Sequence, residues 1–178
     1  CPYTCTYCNS PSNNVIYKDD GQRIFHRKKS IKRIKEELDF LVKKYNPELI
    51  YMVVDTFLAM SHKEFDEFKE MYMDYKIPFW MNTRCETMTE KRAKKLEDMN
   101  MLRMSMGIEH GNENYRKTIL KRSLTNEKMI SAFRMVSGKK YAGRNCFVIT
   151  FLMSMLLPEI DFRISFEEII PVTFSVSP

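Results

Sequence analysis

An uninterrupted apolar run occupies residues 49–54, with the sequence Leu49-Ile50-Tyr51-Met52-Val53-Val54. A short run of this kind, rich in β-branched residues, is typical of a strand buried in a parallel sheet. Asn46-Pro47 precedes the run, and Asp55 follows it directly. Because proline disfavours a helical residue before it, Pro47 should end the preceding helix. The run therefore predicts a buried strand of a parallel α/β fold.

Helices and short strands alternate along the rest of the chain. The spacing of apolar residues predicts four helices. The first runs from Ser30 to Tyr45, and the second and third begin at capping boxes at residues 61–64 and 87–90. The fourth covers residues 126–136, and Gly138 is placed to cap its end. Further strands are predicted at residues 77–82, 102–108 and 146–153. The pattern is that of βαβ units.

An α/β fold with four parallel strands follows from this order, and it fits part of a β/α barrel as well as an open sheet. In either architecture, ligands bind at the carboxyl ends of the strands. The residues in that position are Asp55 after the first strand, residues 82–84 after the second, and Glu109 with His110 after the third. These residues are the candidate site.

The composition excludes several classes of protein. The chain has 178 residues, 44% of them hydrophobic and 29% charged, which excludes a disordered chain. The longest nearly apolar run, residues 146–157, is too short to span a membrane. Five cysteines, an odd number, do not form a secreted disulfide framework, so we expect a cytoplasmic protein. The chain begins on Cys1, which predicts a fragment of a longer protein.

Three of the five cysteines lie in the first eight residues, as Cys1, Cys5 and Cys8. Three thiolates on one short loop can converge on a metal centre, and iron–sulfur clusters are held by such thiolates. Zinc is the competing interpretation, although structural zinc takes four ligands and the nearest fourth candidates, His26 and Cys85, are not at finger-like spacing. A site without metal is the third alternative.

The spacing Cys-x3-Cys-x2-Cys, with the aromatic Tyr7 before the last cysteine, resembles the motif of the radical S-adenosylmethionine superfamily. That resemblance implies a [4Fe–4S] cluster held by Cys1, Cys5 and Cys8, with one open iron that chelates the methionyl amine and carboxylate. It also implies reductive cleavage of S-adenosylmethionine to a 5′-deoxyadenosyl radical. The implied fold is a full or partial β/α barrel.

Further segments up to about residue 140 are similar to the same superfamily. The resemblance implies that Asp55 binds the methionyl amine, Glu109 the ribose hydroxyls and Arg122 the methionyl carboxylate. It also implies a cofactor contact for Tyr7 and weaker contacts for Asn82 and Arg84. The Gly-Ile-Glu segment at residues 107–109 resembles the subgroup of cobalamin-linked enzymes and anaerobic porphyrin cyclases. Methyl transfer and oxidative cyclisation are therefore the favoured outcomes.

The resemblance to the superfamily does not extend to either end of the chain. We expect residues 1–143 to form the superfamily core without its first strand, and residues 144–178 to form a last strand and a divergent tail. Residues 151–178 contain no glycine, whereas the superfamily has a glycine-containing loop in this region. The predicted fold is thus a partial β/α barrel truncated at both ends, and cobalamin would require a domain absent from this chain.

Two alternatives to this function stay open: a tRNA methylthiotransferase-like enzyme, and a non-catalytic iron–sulfur or zinc module. The expected partners are a small-molecule substrate and an external electron donor of the flavodoxin or ferredoxin type. RNA is less favoured, because the basic run at residues 27–35 has no aromatic stacking platform beside it. Cys85 and Cys146 are expected to be ordinary buried thiols, and His110 is expected to be structural.

Overall fold

The computed structural model describes residues 1–21, 26–136, 140–141, 144–145 and 147–152, with side chains for the first two ranges. The helices are α1 (Ser10–Asp19), α2 (Ile31–Tyr45), α3 (His62–Tyr72), α4 (Glu90–Asp98), α5 (Glu113–Thr118) and α6 (Asn126–Val136), with a 3-10 turn at Cys85–Thr87. The strands are β1 (Ile50–Met52), β2 (Phe79–Arg84), β3 (Met101–Glu109), β4 (Lys140–Tyr141), β5 (Arg144–Asn145) and β6 (Phe147–Leu152).

Four strands form one sheet in the order β1-β2-β3-β6, and each neighbouring pair is parallel. The helices α3 and α4 connect consecutive strands of this sheet, which confirms the predicted α/β fold with βαβ units. The short strands β4 and β5 pair separately as an antiparallel ribbon. The predicted division of the chain at residue 143 stays a prediction.

The hydrophobic core lies between one face of the sheet and the helices. Alternate residues of β2 and β3, including Phe79, Met81, Met104 and Met106, are completely buried. They pack with the apolar stripes of α3, α4 and α6 in one continuous cluster. Since side chains alternate between the faces of a strand, the residues in between point to the opposite face of the sheet.

The run at residues 49–54 is not the fully buried strand that its composition indicates. Only Ile50–Met52 is a strand, and it lies at the edge of the described sheet. Tyr51 is 44% exposed and Val53 is 77% exposed. Hydropathy reports how apolar a segment is, whereas the position of a strand within its sheet depends on the other strands that pair with it.

The predicted helix starts are correct in three cases, at Ser30, Ser61 and residue 126, and shifted in a fourth. Ser30 accepts a hydrogen bond from the Arg33 amide, as an N-cap should. The predicted capping box at residues 87–90 is wrong: Thr89 is the N-cap of α4, and Thr87 belongs to the preceding 3-10 turn. Two helices, α1 and α5, have no strong apolar period and were not predicted. The predicted cap Gly138, Cys146 and the tail beyond Leu152 lie outside the described residues.

The capping box of α3 gives a direct test of helix stability. The Ser61 amide donates to Glu64 Oε2 at 2.7 Å, and the Glu64 amide donates to Ser61 Oγ at 3.2 Å. Replacing Ser61 with alanine should lower the free energy of unfolding by about 1 kcal/mol, because the Glu64 amide loses its acceptor. Urea denaturation measures this loss. Ser61→Asp, which keeps an acceptor, should retain stability, and an equal loss in both variants would contradict the capping role.

Candidate functional site

A cavity of about 490 Å³ lies on the face of the sheet that points away from the core helices. All nine residues to which the resemblance gives a cofactor or cluster contact line this cavity, whereas His110 does not. The nine residues are Cys1, Cys5, Tyr7, Cys8, Asp55, Asn82, Arg84, Glu109 and Arg122. The fold thus brings together segments that are up to about 120 residues apart in the sequence.

Strand alternation explains which side chains reach the cavity. In β2, Trp80, Asn82 and Arg84 line it together with the buried Thr83, while the alternate residues Phe79 and Met81 are buried in the core. The sequence interpretation placed residues 82–84 after this strand, but they lie within it, since β2 extends to Arg84. The site therefore occupies the inward face of the sheet as well as its carboxyl edge, as the interior of a partial barrel would.

The cysteine loop is anchored to a distant part of the chain. The amide of Thr6 donates to the Leu120 carbonyl at 3.3 Å, and its hydroxyl donates to the Ile119 carbonyl at 2.8 Å. Within the loop, the Cys8 amide donates to the Cys5 carbonyl at 3.2 Å. Cys8 is exposed where it precedes α1, whereas Cys5 is buried. These bonds hold the loop against the segment that carries Arg122.

The donor set of this loop fits an iron–sulfur cluster better than a structural zinc ion. Cys1, Cys5 and Cys8 all line the cavity, and each is a free thiol. Within the described ranges, no three His, Cys, Asp or Glu side chains, Cys1, Cys5 and Cys8 included, are arranged so that they could hold a single metal ion. Cys85, one proposed fourth ligand, is buried outside the cavity lining. Three thiols without a fourth ligand suit a cluster with one open position.

Two arginines and two glutamates form a network along the cavity wall. Arg122 is 1% exposed and donates to both oxygens of Glu86, at 2.9 and 3.0 Å, and to Glu109 Oε1 at 3.0 Å. Arg84 donates to Glu86 Oε1 at 2.6 Å. Burial opposes the charge of Glu86, but hydrogen bonding and charge from Arg122 outweigh it and hold the pKa of Glu86 below its usual value.

Glu86 is a network residue that the sequence interpretation missed. It lies in the 3-10 turn directly after β2, two residues beyond Arg84. The resemblance covers residues 80–86, but it implied contacts only for Asn82 and Arg84, and a charged residue in a turn is most often a surface residue. Only the packing of the turn against Arg122 shows that Glu86 is mostly buried and shared between two cations.

The backbone at the end of β3 is specialised for the Glu109 carboxylate. Glu109 has a φ of 69°, a left-handed conformation that is strained for a non-glycine residue, and the β3–β6 register shifts between Gly107 and Glu109. A Cβ atom at Gly107 would lie 2.2 Å from Glu109 Oε1. Gly107 is therefore required for the carboxylate to fold back over the strand towards Arg122.

The remaining predicted residues differ in how firmly they are held. Tyr7 is half-buried; burial, followed by the charge of Glu109, raises the pKa of its hydroxyl, so the phenol stays neutral. The Asp55 side chain is 64% exposed, with Oδ2 3.5 Å from both Ser10 Oγ and the Cys1 nitrogen. Asn82 donates to Tyr51 Oη at 2.8 Å. Asp55 is thus the most accessible carboxylate of these site residues.

The residues expected to be bystanders behave as such where they are described. Burial raises the pKa of the Cys85 thiol to about 12, which keeps it protonated and unreactive. His110 is buried, stacks on the Tyr115 ring at 4.2 Å and does not line the cavity. An aromatic pair that was not predicted, Tyr51 stacked on Trp80 at 4.5 Å, forms part of the cavity wall.

The family profile described as "Radical SAM superfamily" matches residues 1–163 of this sequence. The chain belongs to the radical S-adenosylmethionine superfamily, whose members are generally enzymes. Membership implies a [4Fe–4S] cluster and S-adenosylmethionine as cofactors. A search of curated protein sequences gave no match to this chain.

Solved structures of a cobalamin-dependent S-adenosylmethionine radical enzyme, OxsB, share this fold. The form with aqua-cobalamin and S-adenosylmethionine bound aligns with a TM-score of 0.52 at 22% identity over 68% of this chain. The apo form aligns with a TM-score of 0.53 at 21% identity over 72% of it. The alignments cover 19% and 21% of those chains, so this chain spans about a fifth of their length. The likeness confirms a partial β/α fold of the radical S-adenosylmethionine type.

No helix in the described part of the chain is long and apolar enough to cross a membrane.

Proposed function

We propose that this chain is the catalytic core of an enzyme that reductively cleaves S-adenosylmethionine at a [4Fe–4S] cluster and so starts the radical modification of a substrate. One observation carries the proposal: nine residues chosen from the sequence for this chemistry line a single cavity. The three thiols come from the loop at residues 1–8. The charged groups that would hold the cofactor come from the loop after β1 (Asp55), the end of β3 (Glu109) and the segment after α5 (Arg122).

Cys1, Cys5 and Cys8 would hold the cluster through their thiolates. When bound and reduced, the cluster supplies the single electron that breaks the C5′–S bond of S-adenosylmethionine, giving methionine and a 5′-deoxyadenosyl radical. That electron comes from an external donor of the flavodoxin or ferredoxin type. The protein's own contribution is to bind the two cofactors, orient them and exclude water from the cavity.

Four side chains would hold S-adenosylmethionine through its polar ends. We assign the methionyl amine to Asp55, the ribose hydroxyls to Glu109 and the methionyl carboxylate to Arg122, with Asn82 as a weaker contact. Arg122 uses three of its five N–H groups on Glu86 and Glu109. Two N–H groups are left, so Arg122 has donors for a carboxylate while it fixes Glu109 in place.

The modification that follows is proposed as methyl transfer or oxidative cyclisation of a small molecule in the cytoplasm. The Gly-Ile-Glu segment at residues 107–109 supports this subgroup, and so does the shared fold of OxsB, described as a cobalamin-dependent enzyme. Cobalamin would then be bound outside the residues of this chain.

Anaerobic reconstitution tests the proposed function. The purified protein is loaded with iron and sulfide, reduced with dithionite, and mixed with S-adenosylmethionine. We expect a brown protein whose electron paramagnetic resonance signal changes when S-adenosylmethionine is added, and which forms 5′-deoxyadenosine. A colourless protein that retains zinc, or a cluster whose signal S-adenosylmethionine leaves unchanged, would instead support the non-catalytic module.

Gly107→Ala tests the role assigned to Glu109. The new Cβ displaces the carboxylate from its place beside Arg122, because the two would otherwise be 2.2 Å apart. Loss of one hydrogen bond to a charged group, worth ~1.5–3 kcal/mol, should weaken S-adenosylmethionine binding by about tenfold or more. Equilibrium dialysis of the reconstituted protein measures the affinity. Gly111→Ala is the matched control, since a Cβ there meets nothing within 4 Å; equal affinities in the two variants would refute the role.

A further inference from the structure

Arg84 makes a contact that the cofactor assignment does not require. Its Nη1 atom donates a hydrogen bond to Cys5 Sγ at 2.9 Å, across 79 positions of sequence. Both side chains are largely buried, with 12% of the Arg84 side chain exposed. A cationic N–H group at this distance from a sulfur atom, shielded from water, is a strong electrostatic partner for a thiolate.

Besides Cys5, two groups hold the guanidinium of Arg84 in place. It lies 3.9 Å from the centre of the Tyr3 ring, and Glu86 Oε1 accepts from its Nη2 atom at 2.6 Å. Glu86 is itself fixed by two hydrogen bonds from Arg122. The strand β2 ends at Arg84 and aims it into the cavity. A side chain with this support keeps its geometry when a ligand binds.

The other two cysteines of the loop have weaker partners. Cys8 Sγ accepts from the Ser10 amide at 3.5 Å, and Cys1 Sγ lies 3.7 Å from Thr56 Oγ1. Both partners are neutral, and both distances are longer than the one to Arg84. Arg84 also has a buried Nε donor with no partner among the described residues. The three thiols of one cluster would therefore have unequal surroundings, because Cys5 has the cationic Arg84 as its partner and the other two have neutral partners.

We propose that Arg84 is a positioning residue for the cluster, which holds Cys5 and raises the cluster's reduction potential. The inference rests on the proposed function, because it requires Cys5 to be a cluster ligand. Reduction adds negative charge to the cluster, and a hydrogen bond and a cation at a ligand sulfur stabilise the reduced form more than the oxidised one. The resemblance had implied that Arg84 contacts S-adenosylmethionine; the geometry points to the cluster sulfur instead.

A redox titration without S-adenosylmethionine tests this inference. The wild-type protein and Arg84→Met are reconstituted, and the midpoint potential is followed by electron paramagnetic resonance. We expect Arg84→Met to lower the equilibrium constant for reduction by about tenfold, which corresponds to ~59 mV for a one-electron couple. Arg84→Lys, which keeps the charge, should restore part of the shift. Arg33→Met removes the same charge from an exposed position on α2 and should leave the midpoint potential unchanged.

The iron–sulfur stretching bands in resonance Raman spectra give a second reading, because a hydrogen bond to a ligand sulfur weakens its bond to iron. We expect these bands to shift to higher frequency in Arg84→Met and to stay at the wild-type position in Arg33→Met. A fully loaded Arg84→Met cluster with the wild-type potential and spectrum overturns the proposal.

If Arg84→Met does not load, Arg84→Lys and Arg84→Gln decide, and unshifted potentials in both overturn the proposal. Loss of the cluster from all three folded variants overturns the effect on the reduction potential and leaves Arg84 only the role of holding Cys5 for cluster binding. A wild-type protein that takes up no cluster refutes the proposed function and this inference with it. A wild-type cluster that does not cleave S-adenosylmethionine, but whose potential depends on Arg84, refutes only the enzymatic function.

Discussion

Cys8→Ala should abolish both cluster binding and the formation of 5′-deoxyadenosine. Loss of a residue that merely supports a metal ligand costs ~10–100-fold in affinity or activity, so loss of a ligand itself should exceed ~100-fold. Cys8 is the informative choice because it is exposed. Its replacement leaves no buried void, and the variant should fold as the wild-type protein does. Iron and sulfide content, visible absorption and 5′-deoxyadenosine yield measure the effect.

Cys85→Ala is the control for this experiment. Cys85 is completely buried, does not line the cavity and keeps its proton, since burial raises its pKa to about 12. Its replacement should cost about 1 kcal/mol of stability while cluster content stays at the wild-type level. A Cys8→Ala protein that keeps a full cluster, or a Cys85→Ala protein that loses it, would contradict the assignment of Cys1, Cys5 and Cys8 as the ligand set.

Arg122→Met should have the largest effect on folding. Arg122 is 1% exposed and is the shared partner of Glu86 and Glu109, so its removal leaves two mostly buried carboxylates short of their main cation. Removing one partner of a buried ion pair costs ~3–5 kcal/mol, a large part of the stability of a typical domain. We expect urea denaturation at pH 7 to show a loss of that size. Arg33→Met, at an exposed position, should cost far less.

The stability that Arg122→Met loses should depend on pH in a defined direction. Arg122 lowers the pKa of Glu86 in the folded protein, against the opposing effect of burial. The wild-type protein therefore has this stabilisation above the ordinary glutamate pKa and loses it as the pH falls through the lowered value. In Arg122→Met, the Glu86 carboxylate can be protonated at higher pH than in the wild-type protein, which removes its unpaired charge. The difference between the two proteins should shrink on acidification, and a difference that grew would contradict the ion-pair explanation.

Local sequence signals were enough for the elements with strong periodicity. The stripe of Phe65, Phe68 and Tyr72 and the capping box at Ser61 predicted α3, and the alternation of Met104 and Met106 with polar residues predicted β3. Helix α5 was missed because its six residues carry no apolar period. The predicted capping box at residues 87–90 failed because two threonines compete as N-caps, and only the fold of the preceding turn selects Thr89.

Among the site residues, the sequence by itself determined the chemical types and their spacing: the cysteine loop, an acidic residue after one strand, the Gly-Ile-Glu segment and Arg122. Spacing is a property of the chain and can be read directly. Only the tertiary structure decided which charges pair. It buries Glu86 between Arg84 and Arg122, and it directs Arg84 to the sulfur of Cys5. The reason is physical: the energy of an ion pair or a hydrogen bond depends on distance and burial, and both arise from contacts between residues far apart in the sequence.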